Sequence, residues 1–144
     1  MNVNAKALYR LARALLPDML AAGRGAIVAT ASISAMVGIP AQAAYCAAKG
    51  ALIQLVRPLA VEYAGRGVRV NAVGPGPIDT PFLTRYFDAQ SDPQAAMAAV
   101  RESHPMRRWA EASEVAKAIC YLASTDASFV TGHVLMVDGG YVAR

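Results

Sequence analysis

The 144 residues predict an α/β domain, a parallel sheet flanked by helices, on three grounds: a globular composition poor in rings, amphipathic stretches at helical spacing, and short β-branched runs between them. Hydrophobic residues make up 56% of the chain and charged ones 17%, which is the balance of a packed chain and not of a disordered one. Aromatics are only 7%, so alanine, valine, leucine and isoleucine must fill the core, as they do where helices lie on a sheet.

Residues 3–20 set Val3, Ala7, Leu8, Leu11, Leu15 and Met19 three and four apart, with Lys6, Arg10 and Arg13 off that stripe. This predicts an amphipathic helix stopped by Gly23 and Gly25. The run Ala-Ile-Val-Ala-Thr that follows is short and apolar and reads as a strand buried on both faces. A loop from Ser32 to Gln42 leads into a second helix over 43–64, with Leu52, Leu55, Val56, Leu59 and Tyr63 on its apolar side and Pro58 as a kink. Gly65 and Gly67 end that helix, Val-Arg-Val-Asn-Ala-Val is a second strand, and strand, helix, strand makes a crossover unit.

Gly-Pro-Gly-Pro-Ile-Asp-Thr-Pro can be neither helix nor strand, and 81–105 read as a helical flap. Ser113 is placed to cap a helix whose apolar side is Val115, Ile119 and Leu122, and Val-Leu-Met-Val is a third strand closed by Asp138, Gly139 and Gly140. No repeat and no linker interrupts the chain, so 1–144 form one unit.

Composition also excludes functions. The net charge of +4 comes from 11 arginines and 3 lysines scattered along the chain, without the basic stripe and stacking aromatics of a nucleic-acid interface. Cys46 and Cys120 stand apart with no ligand-spaced neighbours, which fits reduced thiols in a cytoplasmic protein and neither a disulfide framework nor a metal site. Gly25 to Ala48 carry no charge, but Ser32, Ser34, Pro40 and Gln42 break the run, and Arg10, Arg13 and Asp18 exclude a signal peptide. The expectation is a soluble cytoplasmic protein that binds neither nucleic acid nor membrane.

Within Ala-Tyr-Cys-Ala-Ala-Lys-Gly, Tyr45 and Lys49 are four apart and therefore share one face of a helix. A cation beside a phenol stabilises the phenolate and makes a tyrosine usable as an acid or base near neutrality. That is what a carbonyl or carbinol needs when a hydride moves. The spacing alone is a weak sign. It gains weight because the first strand delivers Ser32, and the second delivers Asn-Ala-Val-Gly-Pro-Gly-Pro-Ile-Asp-Thr, to the carboxyl edge of the sheet, where open α/β folds bind ligands. No Gly-Lys-Ser/Thr follows those glycines, so they are not a P-loop, and no Gly-x-Ser-x-Gly elbow occurs. His104 and His133 lack partners at ligand spacing and read as structural.

Taken in order, Asn-Val-Asn-Ala, Gly-Ala-Ile-Val-Ala-Thr-Ala-Ser, Ala-Tyr-Cys-Ala-Ala-Lys-Gly, Arg-Val-Asn-Ala-Val-Gly-Pro-Gly-Pro-Ile-Asp-Thr and Val-Thr-Gly-His-Val-Leu-Met-Val-Asp-Gly-Gly resemble the carboxy-terminal part of a short-chain dehydrogenase/reductase of the NAD(P)-dependent type. The resemblance runs from Val3 to Gly140. It implies a partial Rossmann-like doubly wound parallel sheet of about three strands, and hydride transfer between NAD or NADP and a small secondary alcohol or ketone. It further implies that Tyr45 is the general acid/base and that Lys49 holds the nicotinamide ribose and supports the phenolate. Ser32 would stabilise the substrate oxygen, and Asn4 would hold a water linking Lys49 to solvent. Pro75 and Gly76 would line the nicotinamide, the Ile78 backbone would bind its carboxamide, and the Thr80 hydroxyl would reach the carboxamide or pyrophosphate. Asn71 falls at a mainly structural position of the family. Met36, Val37 and the flap from Phe82 to Met106 would shape the substrate pocket. The helices at 3–20 and 43–64 would build a homodimer or homotetramer.

The glycine-rich Thr-Gly-x-x-x-Gly-x-Gly turn of that family precedes the helix with which this sequence opens and is not found in it. The expectation is therefore a chain lacking the amino-terminal, cofactor-binding half, inactive and poorly soluble by itself. The competing expectation is a non-catalytic remnant that acts as an interaction module.

Overall fold

The structure is a computed structural model that describes every residue from Met1 to Arg144. Its order is α1 (Ala5–Ala21), β1 (Gly25–Thr30), α2 (Ala43–Tyr63), β2 (Val68–Pro75), α3 (Pro81–Asp88), α4 (Pro93–Glu102), α5 (Ala112–Ala123) and β3 (Val134–Val137). The three strands form one parallel sheet in the order β1-β2-β3, with Gly25 opposite Val68 and Ala72 opposite Val134. The expected α/β architecture is what the chain adopts.

Alternation along β2 builds two cores. Val68, Val70 and Ala72 point to one face and pack with Ala12 and Leu16 of α1 and Ile53, Val56 and Ala60 of α2. Val73 points to the other and packs with Val115 and Leu122 of α5. On that second face Arg69 donates to four main-chain carbonyls, those of Leu122, Ala123, Ser124 and Val130, at 2.8 to 3.4 Å. Three of these carbonyls belong to the end of α5 and its cap, where partial negative charge gathers, so the guanidinium closes the helix electrostatically as well as by hydrogen bonding. Asn71, fully buried, ties the same face down by donating to the Val130 carbonyl and accepting from the His133 N–H.

Several sequence expectations need correction. The buried face of α1 is Ala5, Ala12 and Leu16, with Leu8, Met19 and Leu20 against the core, whereas Val3, Leu11 and Leu15 are exposed. This helix is apolar around more than one stripe, and helical periodicity cannot tell which stripe the sheet will cover. Gly25 does not end α1 but begins β1; the chain turns at Gly23, which has φ +63. β1 is an edge strand and only partly buried, since it pairs with β2 alone. Ser113 lies inside α5 and does not cap it: Glu111 occupies the cap, and its N–H donates to the Glu114 carboxylate at 2.9 Å. The helix over 43–64 runs through Pro58 without a break in assignment.

After α2 the chain reverses at Gly67, with φ +80, and a side chain there would run into the Gly23 carbonyl 2.0 Å from its Cβ. That close approach lets β1 and β2 start in register. The flap appears as two short helices, α3 and α4, each with proline in its first turn. No helix is long and apolar enough to cross a membrane.

Candidate active site

All three strands end at one edge, and each hands its next residues to the same region. β1 ends at Thr30, and two residues on Ser32 caps a short 3-10 turn, its Oγ accepting from the Ser34 N–H at 3.2 Å. The Ser32 hydroxyl also lies 3.3 Å from Ser34 Oγ, which in turn donates to Gln42 Oε1 at 3.4 Å. Ser32 is thereby fixed in orientation before any ligand arrives.

The first turn of α2 carries Tyr45, 38% exposed, with no hydrogen-bond partner for its hydroxyl within the chain. One turn later the Lys49 ammonium lies 5.7 Å from the centre of the Tyr45 ring and donates to the Thr30 carbonyl at 2.9 Å. Half-burial pushes the Lys49 ammonium below the ordinary lysine value. It keeps two further N–H donors for a ligand.

Ser32 and Tyr45 open onto one cavity of about 380 Å³. Its other walls come from the Gly76-Pro77 turn, from α3 and α4 through Leu83, Phe87 and Val100, and from Tyr141 near the C-terminus. Helices 81–102 are thus the lid expected of the flap. Met36 and Val37 do not line this cavity; Ile33 and Ile39 do, because the 3-10 turn after Ser32 rotates Met36 outward to 50% exposure. Met106 faces a neighbouring cavity of about 330 Å³ bounded by Asp138, Gly139 and Gly140.

The four loop residues sit as follows. Pro75 ends β2 opposite Val137, and Gly76 N–H donates to the Val137 carbonyl at 3.0 Å. Gly76 lies on the wall shared by both cavities, where a Cβ would come within 3.1 Å of Asp138 Cα. Ile78 pairs with Ala110 in a bridge and rests its side chain on the Val73 cluster, while its own N–H has no partner. Thr80 caps α3 and turns its hydroxyl onto the Ile78 carbonyl at 3.2 Å. A glycine surface and a free backbone donor, at the same strand edge as the Lys49 ammonium, fit a flat carboxamide-bearing ring joined to a ribose.

Asn4 stands at the start of α1, its side chain without a hydrogen bond in the chain, and does not line the cavity. The arrangement joins Ser32, Tyr45 and Lys49 and leaves Asn4 outside that cluster. Within the flap expected to shape the pocket, His104, which reads as structural from its spacing, is a wall residue. It is 3% exposed, it lines both cavities, its Nδ1 donates to the Val100 carbonyl at 2.7 Å, and its ring lies 4.6 Å from that of Tyr141.

A family model described as enoyl-(acyl carrier protein) reductase matches residues 1–142. The chain is 42% identical over 143 residues to the inactive 2-(S)-hydroxypropyl-CoM dehydrogenase 2 of Xanthobacter autotrophicus, covering 99% of this chain and 62% of that protein. It is 48% identical over 128 residues to the cis-4-hydroxycyclohexanecarboxylate dehydrogenase of Sinomonas cyclohexanicum, covering 89% of this chain and 49% of that one. The solved structure of ElxO with NADP bound superposes with a TM-score of 0.86 at 36% identity, over 95% of this chain and 54% of that one. The chain spans about half the length of the curated relatives it matches.

Proposed function

The chain belongs to the short-chain dehydrogenase/reductase family, and from that premise we propose that the protein is an oxidoreductase acting on a secondary alcohol or ketone with NAD or NADP. The observation that carries this reading is the convergence of Ser32 and Tyr45 on one cavity with the Lys49 ammonium against the tyrosine ring. A bound nicotinamide supplies or accepts the hydride. The Tyr45 hydroxyl gives a proton to the substrate oxygen in reduction and takes it back in oxidation. Ser32, its oxygen positioned by the Ser34 N–H, turns its hydroxyl hydrogen from Ser34 Oγ to that same oxygen as charge develops. Lys49, its ammonium 5.7 Å from the centre of the Tyr45 ring, would offer its free donors to the ribose hydroxyls of a bound cofactor. Pro75 and Gly76 would bound the nicotinamide face, the unpartnered Ile78 N–H would be free to donate to its carboxamide, and the Thr80 hydroxyl, now on the Ile78 carbonyl, would be the donor for the carboxamide or pyrophosphate. Asn4, with an unengaged amide, passes protons onward through water.

The exposed Tyr9, Leu11 and Leu15 of α1 and Val61 of α2 support association of two or four copies through these helices. A second reading, a non-catalytic interaction module in the cytoplasm, draws support from the relative named as inactive. Assaying the protein as its gene encodes it against secondary alcohols, with both cofactors, separates the two. NAD(P)H-linked turnover that is lost in the Ser32→Ala variant is the expected result; a protein that turns over none of them contradicts the enzymatic reading.

A further inference from the structure

We propose, resting on the oxidoreductase reading above, that the substrate is a secondary alcohol or ketone whose carbon skeleton carries no charged group. The argument is the composition of the wall that this chain supplies. Among the residues bounding the 380 Å³ cavity there is no lysine, arginine, aspartate or glutamate. The polar side chains present are chiefly Ser32, Ser34, Gln42 and Tyr45 at the catalytic end and Ser103 with His104 at the other, where His104 Nδ1 is spent on the Val100 carbonyl. Between these ends lie Ile33, Leu83, Phe87 and Val100, with the rings of Phe82 and Tyr86 at the mouth.

The lid does contain charges, and each is turned away from the cavity. Arg85 Nε donates to the Pro81 carbonyl, Asp92 caps α4 through the Ala95 N–H, and Arg101 lies 5.5 Å from the Trp109 ring. Glu102 pairs with Arg107 at 2.9 Å, and Asp88 faces a separate hollow beside Met97 and Trp109. Outside the lid, Lys49 is anchored on the Thr30 carbonyl and Arg108, on the adjoining cavity, is held by both Glu114 carboxylate oxygens; neither borders this cavity. A carboxylate, phosphate or sulfonate entering here loses its hydration and meets no lysine or arginine, whereas an apolar ring covers Phe82 and Tyr86, which stand 67% and 41% exposed.

The test uses a pair of substrates that differ in charge and little in shape. With the protein as its gene encodes it and NAD(P), kcat/KM for 4-methylcyclohexanol is expected to exceed that for 4-hydroxycyclohexanecarboxylate by ~100-fold, the cost of leaving an anion unpaired in an apolar site. Phe82→Arg places a cation at the mouth where the native ring is already exposed, and should narrow the ratio by ~10-fold, one close charge pair's worth. Equal or reversed preference in the native protein overturns the proposal. Should neither alcohol turn over, the oxidoreductase reading fails by itself. Calorimetric titration with 4-methylcyclohexanone and 4-oxocyclohexanecarboxylate then still decides the substrate class: tighter binding of the neutral ketone supports it, and equal, reversed or undetectable binding of both overturns it.

Discussion

The Lys49 ammonium sits 5.7 Å from the centre of the Tyr45 ring while donating to the carbonyl of Thr30, the last residue of β1. A strand end therefore decides where the cation of the helix pair points. Lys49→Met keeps the stem and removes the charge, and should lower kcat by ~10²-fold or more and weaken NAD(P)H binding measured separately. Native turnover in this variant would remove Lys49 from the machinery.

Arg69 should be worth more to folding than any other surface-reaching side chain. Its guanidinium bonds the carbonyls of Leu122, Ala123, Ser124 and Val130 at and just after the end of α5, sharing that of Ser124 with the Ala127 N–H and that of Val130 with Asn71. Arg69→Ala is expected to cost about 2 kcal/mol in denaturant unfolding, the range for charge-assisted bonds to a helix end. A loss below about 0.5 kcal/mol would show that water replaces the guanidinium freely.

Acid stability should depend on Glu114. The Arg108 guanidinium hydrogen-bonds both its carboxylate oxygens at 2.7 Å, and with the Glu111 N–H holds its pKa down at about 2 against an ordinary 4.5. A carboxyl group depressed in the folded state adds stability above its unfolded pKa and loses it as pH falls toward the folded one. Thermal midpoints should accordingly decline between pH 4.5 and about 2, and Glu114→Gln should flatten that part of the curve. The pair is solvent-exposed, so the effect should also shrink in high salt.

Leu15, 48% exposed on the outer stripe of α1, tests the association surface. Leu15→Glu should reduce the mass measured by light scattering to that of a smaller assembly, leaving the far-ultraviolet circular dichroism unchanged. A native protein that is already monomeric would remove these helices as an interface.

The chemistry was more legible in the sequence than the packing was. The shared helix face of Tyr45 and Lys49 and the place of Ser32 after a strand end are local properties and survive folding, while the roles given to them come from the family resemblance. The choice of Ala12 and Leu16 over Leu11 and Leu15 as the buried stripe is not local, since it is made by the sheet that arrives from elsewhere in the chain. The same holds for Arg69, whose partners lie more than fifty residues away, and for Ile33 and Ile39, which a 3-10 turn brings to the cavity in place of Met36 and Val37. Glu111 took the cap from Ser113 through Glu114, a residue that Arg108 holds in place.

A phenol at position 45 is what the whole mechanism needs, and Tyr45→Phe removes one oxygen atom without disturbing the ring that Lys49 covers. Measured with saturating NAD(P)H and a neutral ketone, kcat should drop by ~10³-fold or more, while cofactor affinity measured separately changes by less than ~3-fold. A variant that retains native turnover would mean that the proton travels by another route, and the assignment of Tyr45 as acid and base would be wrong.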